Sequence, residues 1–262
     1  MIPGMSDPRD VLNRTGSPPD AEIRYGPGPD QIADLRRPSR RAPTGLVVLL
    51  HGGFWRSEYD RTHVRPMADG LVAAGYVVAT PEYARTGAGG GWPSTFDDVR
   101  LAVDRLPELV GDLVEVREVV LVGHSAGGHL ALWCAGLGLL DAYAGAVALA
   151  PVADLVAAFR LDLDGGAVRA LLGGSPGQVP DRYDAADPCR LPPPPGPVVV
   201  LHGEHDALVP ADGSIRYAAR TGADLRMLSG VEHFALIDPK SAAWPAVLEA
   251  VRSVHDGGHP RA

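Results

Sequence analysis

The sequence predicts an α/β fold built on a mostly parallel, doubly wound sheet with an antiparallel N-terminal edge. Uniformly apolar runs of strand length recur along the chain, as in residues 45–50 and 119–122, and they are typical of strands buried on both faces of a parallel sheet. Stretches with helical periodicity alternate with these runs, as in repeated strand-helix-strand units. With 262 residues, 45% of them hydrophobic and 21% charged, the chain is expected to form one domain with a large core.

The predicted elements follow one another in a regular order. The polar, proline-rich residues 1–20 predict a tail that is flexible or draped over the surface. The single domain is predicted to comprise residues 21–256, and residues 257–262 are predicted to form a second tail. Residues 21–25 and 31–36 flank a Gly-Pro-Gly-Pro stretch and predict a β-hairpin at the sheet edge. Later strands are predicted at residues 45–50, 76–80, 119–122, 144–150, 197–201 and 223–228. Helices are predicted at residues 64–74, 94–106, 126–139, 215–220 and 244–254.

Glycine and proline mark several of the predicted boundaries. Gly75 stands where a glycine commonly follows the end of a helix. Residues 87–92 form a glycine-rich loop that we expect near the functional site. Pro107 is predicted to end the helix that opens at Ser94, because proline removes a backbone donor from a helix interior.

Residues 152–191 break the alternation of strands and helices. Short apolar fragments with helical spacing are separated here by Asp-Gly-Gly and Gly-Gly-Ser-Pro stretches. An excursion of this length between two strands predicts a small cap or lid that borders the mouth of a pocket.

The segment Gly123-His124-Ser125-Ala126-Gly127 carries the strongest functional signal. It lies between a predicted buried strand and a predicted helix, where G-x-S-x-G is the pattern of a nucleophile elbow. The tight turn lifts the serine hydroxyl above the sheet, and the helix N-terminus directs backbone N–H groups at a developing negative charge. We therefore interpret Ser125 as a nucleophile and the Ala126 N–H as an oxyanion donor.

Asp206 and His233 follow the last two predicted strands. Because the carboxyl ends of parallel strands open at one edge of a sheet, both side chains can meet Ser125 there. The chain order Ser, Asp, His is the order expected when the nucleophile lies on a strand-helix elbow. We predict that His233 is the general base and that Asp206 orients it, with Glu204 as the alternative acid.

The segment His51-Gly52-Gly53-Phe54 follows another predicted buried strand. Glycine at this point allows backbone N–H groups to approach a substrate closely, so Gly53 and Phe54 are predicted as further oxyanion donors. Four aromatic residues at strand ends or in the glycine-rich loop are predicted to wall an acyl or aryl pocket. These residues are Trp55, Tyr83, Trp92 and Phe234.

The remaining histidines are interpreted as structural. His51, His124 and His202 directly follow strands, where a histidine commonly bonds to loop backbone. His63 and His129 are predicted to lie on helix surfaces.

Composition excludes several classes of function. The net charge of -8 gives no electrostatic reason to bind nucleic acid or an anionic membrane. We find no apolar leader and no run of membrane-spanning length, so the cytoplasm is the expected compartment. Cys134 and Cys189 are expected to be reduced thiols. His205 and its acidic neighbours have no second ligand group at metal-binding spacing, so no metal is expected.

The motifs together resemble the α/β-hydrolase superfamily, and within it the esterase and kynurenine formamidase (arylformamidase-like) branch. The resemblance extends over about residues 46–254 and implies a triad of Ser125, Asp206 and His233 without a cofactor. It rests on the stretches His51-Gly52-Gly53-Phe54-Trp55, Gly123-His124-Ser125-Ala126-Gly127-Gly128-His129-Leu130-Ala131, Ala150-Pro151-Val152-Ala153-Asp154-Leu155, His202-Gly203-Glu204-His205-Asp206-Ala207-Leu208-Val209-Pro210 and His233-Phe234.

These features predict a serine hydrolase that cleaves small carboxylic esters or N-formyl and acyl amides through an acyl-enzyme. A kynurenine formamidase proper, a peptidase or an acyltransferase could use the same three residues. A non-catalytic ligand-binding protein of this fold is the alternative from another class, although all three triad residues are present. The expected partner is a small-molecule ester or amide, with no nucleic acid and no membrane, and a homodimer stays open.

Overall fold

The computed structural model describes residues 8–39, 43–111 and 118–257. Its strands are Ala21–Arg24 (β1), Ile32–Arg36 (β2), Leu46–Leu50 (β3), Val77–Pro81 (β4), Val119–His124 (β5), Gly145–Leu149 (β6), Val198–Gly203 (β7) and Asp224–Leu228 (β8). They form one sheet in the order β1-β2-β4-β3-β5-β6-β7-β8. β1, β2 and β4 pair antiparallel, whereas β3 pairs in parallel with β4 and β5, and the strands from β5 to β8 continue in parallel. The predicted mostly parallel sheet with an antiparallel N-terminal edge is confirmed.

Helices cover both faces of this sheet. The α-helices are Arg65–Ala73 (α1), Ser94–Gly111 (α2), Ala126–Gly136 (α3), Leu155–Arg160 (α4), Ala167–Leu172 (α5), Pro180–Ala186 (α6), Asp212–Thr221 (α7) and Trp244–Gly257 (α8). Side chains alternate along β3, so Leu46, Val48 and Leu50 join the core cluster beneath α2 and α3, whereas Val47 and Leu49 join the cluster beneath α1 and α8. The uniformly apolar strand is therefore explained by two buried faces.

The sheet brings the candidate site residues to one edge. β5 ends at His124, directly before Ser125, and β7 and β8 end a few residues before Asp206 and His233. Since these strands run parallel, their carboxyl ends lie at the same edge of the sheet.

The predicted cap, residues 152–191, forms three short helices, α4, α5 and α6, between β6 and β7. The glycines predicted to interrupt it do so, because Gly165, Gly166 and Gly173 all adopt positive φ angles at the ends of α5 or just before it. A crossover made of three short helices is longer than a parallel pair of strands requires, which leaves this segment available to border the site.

Part of the predicted N-terminal tail is packed onto the domain, as in a surface-draped segment rather than a flexible one. Pro8–Asn13 forms a 3-10 helix, and the side chain of Val11 is 1% exposed within the cluster beneath α1 and α8. Val11 packs in that cluster with Val64 and Leu236, and the ion pair between Arg14 and Asp238 holds the residues that follow. Residues 1–7, and residues 258–262 of the second predicted tail, lie outside the described residues.

The prediction that Pro107 ends its helix is wrong, because α2 continues to Gly111. Proline at this position leaves the carbonyl of Val103, four residues earlier, without its usual helical donor. The hydroxyl of Tyr143 donates to that carbonyl at 2.9 Å. A side chain from outside the helix thus replaces the lost backbone hydrogen bond, which sequence periodicity cannot show.

His129 also differs from its prediction, since it is fully buried rather than on a helix surface. Every side of α3 is covered, and the imidazole packs edge-on against Trp55 and Phe96 while its Nε2 bonds to the carbonyl of Ala186 at 3.0 Å. Burial lowers the pKa of His129 from 6.5 to about 4.

Because His129 is buried with a lowered pKa, we expect the protein to lose stability in mild acid. The unfolded chain binds the proton below pH 6.5, whereas the folded chain does not bind it until about pH 4, so stability falls as the pH drops through that window. Between pH 7 and pH 5 the contribution of one such histidine is about 2 kcal/mol. Urea unfolding of His129→Gln should therefore show a smaller acid-induced fall than the parent protein. The exposed His205→Gln is the control, and an equal fall in both variants would contradict the assignment.

Candidate active site

Ser125 occupies a strained turn between β5 and α3. Its backbone has φ 56° and ψ -116°, a region that residues other than glycine rarely adopt. A Cβ atom at Gly123 would lie 2.1 Å from the carbonyl oxygen of Gly127, and one at Gly127 would lie 2.1 Å from that of Leu50. Both glycines are therefore required by contact, and the turn they permit is the predicted elbow.

The first turn of α3 begins directly behind the serine. Ala126 is its first residue, and the leading N–H groups of a helix have no acceptor within the helix. Ser125 itself is fixed, because its N–H donates to the carbonyl of Leu149 at 2.8 Å. The Ala126 N–H is consequently suited to stabilise an oxyanion formed at Ser125.

The loop after β3 lies against this elbow. A Cβ atom at Gly52 would come within 3.1 Å of the His124 carbonyl oxygen and 3.2 Å of the Ser125 Cβ, so glycine allows the two segments to approach. Gly53 and Phe54 follow with φ angles of 101° and 48°, which turn the backbone sharply. Both residues line the same cavity as Ser125, as expected of oxyanion donors.

His51 anchors the start of that loop. Its Nε2 lies 2.8 Å from the Oε1 of Glu82, and its ring stacks on Tyr83 with centroids 4.3 Å apart. The Tyr83 hydroxyl donates to the His51 carbonyl at 2.8 Å. His51 therefore has the structural part predicted for it, and Tyr83, predicted in the pocket wall, instead supports the loop from behind.

Asp206 and His233 form a close pair. The Nδ1 of His233 lies 2.6 Å from the Oδ2 of Asp206 and donates to it, since an ionised carboxylate only accepts. The other oxygen, Oδ1, accepts the backbone N–H groups of Leu208 at 2.9 Å and Val209 at 2.8 Å. This pairing leaves Nε2 of His233 as the nitrogen that can take a proton. Glu204, the alternative acid, is exposed, so the geometry favours Asp206.

Hydrogen bonds keep the Asp206 carboxylate charged. Burial by itself would raise its pKa, but donors from His202 and His233 and the backbone of Val209 outweigh burial and hold the pKa well below its usual range. The Nε2 of His202 lies 3.3 Å from Oδ2 of Asp206 and 2.8 Å from the Val209 carbonyl oxygen. His202 thus bonds to loop backbone, as predicted, and its Nε2 also lies beside the candidate acid.

His124 is hydrogen-bonded to the backbone of His233, the candidate base. Its Nε2 donates to the carbonyl of His233 at 3.1 Å, and the centroids of the two imidazole rings lie 4.6 Å apart. Burial lowers the pKa of His124 well below its usual value, so this imidazole stays neutral beside the base.

A cavity of about 300 Å3 opens above the serine. Its lining consists of Arg9, Leu12, Gly53, Phe54, Tyr59, His63, His124, Ser125, Asp164, Leu208, His233 and Phe234. The structure therefore gathers Ser125, His233, Gly53, Phe54 and Phe234 around one cavity, with Asp206 behind His233. A larger, more open cavity of about 700 Å3 borders α4 and α7, and none of its lining residues belongs to this group.

Two more predicted wall residues lie elsewhere. Trp55 is 1% exposed and packs on His129, so its ring belongs to the core rather than to the cavity. The ring of Trp92 packs against Phe96, and the backbone N–H of Trp92 donates to the Leu171 carbonyl at 2.7 Å. A strand end for Trp55 and the glycine-rich loop for Trp92 suggested positions near the site, but each side chain packs against the core. Of the four predicted aromatic residues, only Phe234 lines the cavity.

The cap reaches the cavity through Asp164. Its carboxylate pairs with the Nε of Arg56 at 2.5 Å, and Arg56 comes two residues after Phe54 in the loop that follows β3. The Arg56 guanidinium also donates to the Gly165 carbonyl at 3.2 Å. The cap segment is therefore attached to the loop that presents the candidate oxyanion donors.

Sequence reasoning missed several lining residues. Tyr59 and His63 closely follow the candidate oxyanion donors Gly53 and Phe54, and Leu208 is two residues from Asp206, so their positions beside motifs were an available signal. His63 is partly buried, not on an exposed helix surface, and desolvation together with the nearby His51 lowers its pKa to about 4. Arg9 carried no signal, because nothing in the first residues indicates that they fold back over the site.

The described residues contain no cluster of three or more histidine, cysteine, aspartate or glutamate side chains arranged to hold a metal ion. Nor does any helix within that part of the chain have the length and apolar character required to cross a membrane. The cytoplasmic location and the homodimer stay predictions.

Comparison with known proteins gives consistent likenesses. The chain is 28% identical to Esterase LipQ of Mycobacterium tuberculosis over 228 residues, which cover 76% of this chain and 52% of LipQ. It therefore spans about half the length of that relative. Esterase B from Lactobacillus rhamnosis superposes with a TM-score of 0.76 at 18% identity, covering 96% of this chain and 90% of that one. The thermophilic esterase Est2 of Thermogutta terrifontis superposes with a TM-score of 0.70 at 21% identity, covering 92% of this chain and 96% of Est2.

These solved structures show that the protein has the α/β-hydrolase fold. The BD-FAE family matches residues 34–220, from β2 into α7, so the match includes Ser125 and Asp206 but ends before His233. None of these likenesses identifies the arylformamidase-like branch. Because the family match covers well over half of the chain, the protein belongs to the BD-FAE family.

Proposed function

We propose that this protein is a serine ester hydrolase that cleaves small carboxylic esters through an acyl-enzyme formed on Ser125. One observation carries the proposal: His233, hydrogen-bonded to a buried Asp206 at 2.6 Å, lines the same cavity as a serine held in a strained elbow. A nucleophile, a base and an acid that orients the base are the parts required for covalent acyl transfer.

Each group then has a defined step. The Oγ of Ser125 attacks the ester carbonyl carbon while its proton passes to Nε2 of His233. Collapse of the tetrahedral intermediate breaks the bond to the leaving alcohol, which takes the proton from His233. A water molecule then attacks the acyl carbon, gives its proton to His233, and releases the carboxylic acid when that proton returns to Ser125. Asp206 stays ionised throughout and stabilises the imidazolium.

The oxyanion formed in both steps is stabilised by backbone N–H groups. Ala126 provides one from the start of α3, and Gly53 and Phe54 provide others from the loop after β3. Since the positive end of α3 lies behind Ser125, its dipole adds to their effect. The loss of one such donor typically costs about 3 kcal/mol of transition-state stabilisation.

Cavity size supports short substrates. A volume of about 300 Å3 lies at the lower end of the range for small-molecule sites. Leu12, Phe54, Leu208 and Phe234 make part of its wall apolar, which suits an acyl or alkoxy chain. Esters with short chains should therefore fit better than lipid-like esters.

A substrate panel tests this proposal. We expect kcat/KM to fall from nitrophenyl butyrate to nitrophenyl dodecanoate by more than 10-fold, because each methylene that cannot be accommodated costs about 1 to 3 kcal/mol. N-formylkynurenine in the same panel separates ester from formamide hydrolysis. A rate on N-formylkynurenine that matches or exceeds the butyrate rate would replace the ester proposal with a formamidase. A profile that stays flat to dodecanoate would contradict the size argument.

A further inference from the structure

The N-terminal 3-10 helix, Pro8–Asn13, forms part of the cavity that contains Ser125. Leu12 and Arg9 both line the cavity, together with Phe54 and Phe234. Arg9 and Leu12 belong to the first twelve residues of the chain, before any strand of the sheet. The wall of the site therefore includes an element that is separate from the fold's catalytic loops.

Two contacts hold this element in place. Val11 is 1% exposed and belongs to the same core cluster as Val64 and Leu236. Three residues later, Arg14 forms a two-pronged ion pair with Asp238, in which Nη1 lies 2.5 Å from Oδ1. The guanidinium beside Asp238 holds the pKa of that carboxyl below its usual range, so the pair is charged at neutral pH. Leu12 is thus held between the buried side chain of Val11 and the ion-paired side chain of Arg14.

The ion pair also connects the wall to the candidate base. Asp238 directly follows the 3-10 helix His233–Ile237, and His233 is the first residue of that helix. The N-terminal helix contacts this helix and the 3-10 helix Arg61–Val64, which carries His63 of the cavity lining. The N-terminal helix is therefore held in a fixed position relative to His233, the candidate base.

We propose that residues 8–14 are a specificity element, in which Leu12 limits the length of the substrate chain and the Arg14–Asp238 pair keeps Leu12 in the cavity. The inference rests on the proposed ester hydrolysis and adds the residue that sets chain length. Leu12 is apolar and partly buried at the lining, so its side chain occupies volume that a longer chain would need. Arg14 acts through position, since it is not among the residues that line the cavity.

The test compares Leu12→Ala with the parent protein on two ester series, nitrophenyl esters from acetyl to octanoyl and alkyl acetates from methyl to octyl. Removal of three carbon atoms from the wall should raise the ratio of kcat/KM for the longest substrate to that for the shortest by about 10-fold or more in one series. The series that responds identifies the acyl or the alkoxy side. Leu137→Ala, the same substitution at an exposed leucine outside the cavity, is the control and should leave both ratios unchanged.

Arg14→Gln provides the second arm. Loss of the ion pair should loosen the wall and shift the same ratio in the same direction, whereas simple destabilisation would lower all rates together. Unchanged ratios in both series for Leu12→Ala would overturn the inference. If the parent protein hydrolyses no ester of either series, the proposed function fails instead, so the two failures are distinguishable.

Discussion

Replacement of Ser125 by alanine is expected to lower kcat for ester hydrolysis by about 10⁶-fold. Without its Oγ no acyl-enzyme can form, and only the oxyanion donors and the cavity remain to assist attack by water. Ala at this position keeps the Cβ, so the contacts around the elbow change little. The measurement is the steady-state rate on nitrophenyl butyrate, with circular dichroism to show that the variant is folded.

Ser253→Ala is the matched control for this change. Ser253 lies on α8, and its hydroxyl bonds to the Ala250 carbonyl at 2.8 Å, away from the cavity. Its rate should equal that of the parent protein. A folded Ser125→Ala variant that retains more than about 1% of the parent rate would contradict the assignment of Ser125, because the predicted loss is far larger.

The second large effect is expected at the acid. Asp206→Asn should lower kcat by about 10⁴-fold, the loss typical when a triad carboxylate is neutralised and the histidine takes the wrong tautomer. In the parent protein Asp206 accepts from Nδ1 of His233, and this fixes the proton on that nitrogen. An amide NH2 in its place would donate to Nδ1 and move the proton to Nε2, where it blocks the transfer from Ser125.

Glu204→Gln is the internal control for Asp206→Asn, since both residues lie in the loop after β7 and both changes remove one charge. Glu204 is exposed, so the rate of the Glu204→Gln variant should stay within about twofold of the parent rate, as expected for a surface change. Greater damage from Glu204→Gln than from Asp206→Asn would show that the acid had been assigned to the wrong loop residue.

Most of the elbow and the pairing around it could be predicted from the sequence because the relevant constraints are local or topological. Gly123 is required by a contact with Gly127, and Gly127 by a contact with Leu50 at the end of β3, the strand that pairs with β5. Asp206 and His233 are far apart in the chain, but each follows a strand that ends at the same sheet edge, so topology brings them together. The elbow and the position of its two partners can therefore be predicted from the sequence, without knowledge of the packing between layers.

The errors share a different origin, since each depended on a contact with a distant part of the chain. Val11 is fixed by a core cluster whose other members come from strands and helices later in the chain, and Pro107 is tolerated because Tyr143 supplies a donor from outside α2. Trp55 is directed into the core by packing on His129. Neither hydropathy nor spacing contains this information, because it depends on which layers meet.

The size of the cavity could not be predicted for the same reason. Three residues of its lining come from segments that the sequence assigned to a tail or to the cap, namely Arg9, Leu12 and Asp164. Side chains from separate segments define the volume available to a substrate, so substrate length is a tertiary property even where the chemistry is local.

The central claim is that Ser125 becomes covalently attached to the acyl group, and intact-mass spectrometry after treatment with a fluorophosphonate tests it most directly. Such a probe reacts with an activated serine and stays attached. We expect the parent protein to gain the mass of one phosphonyl group, peptide mapping to locate it on Ser125, and Ser125→Ala to gain none. Attachment at another residue, or equal labelling of the Ser125→Ala variant, would contradict the account.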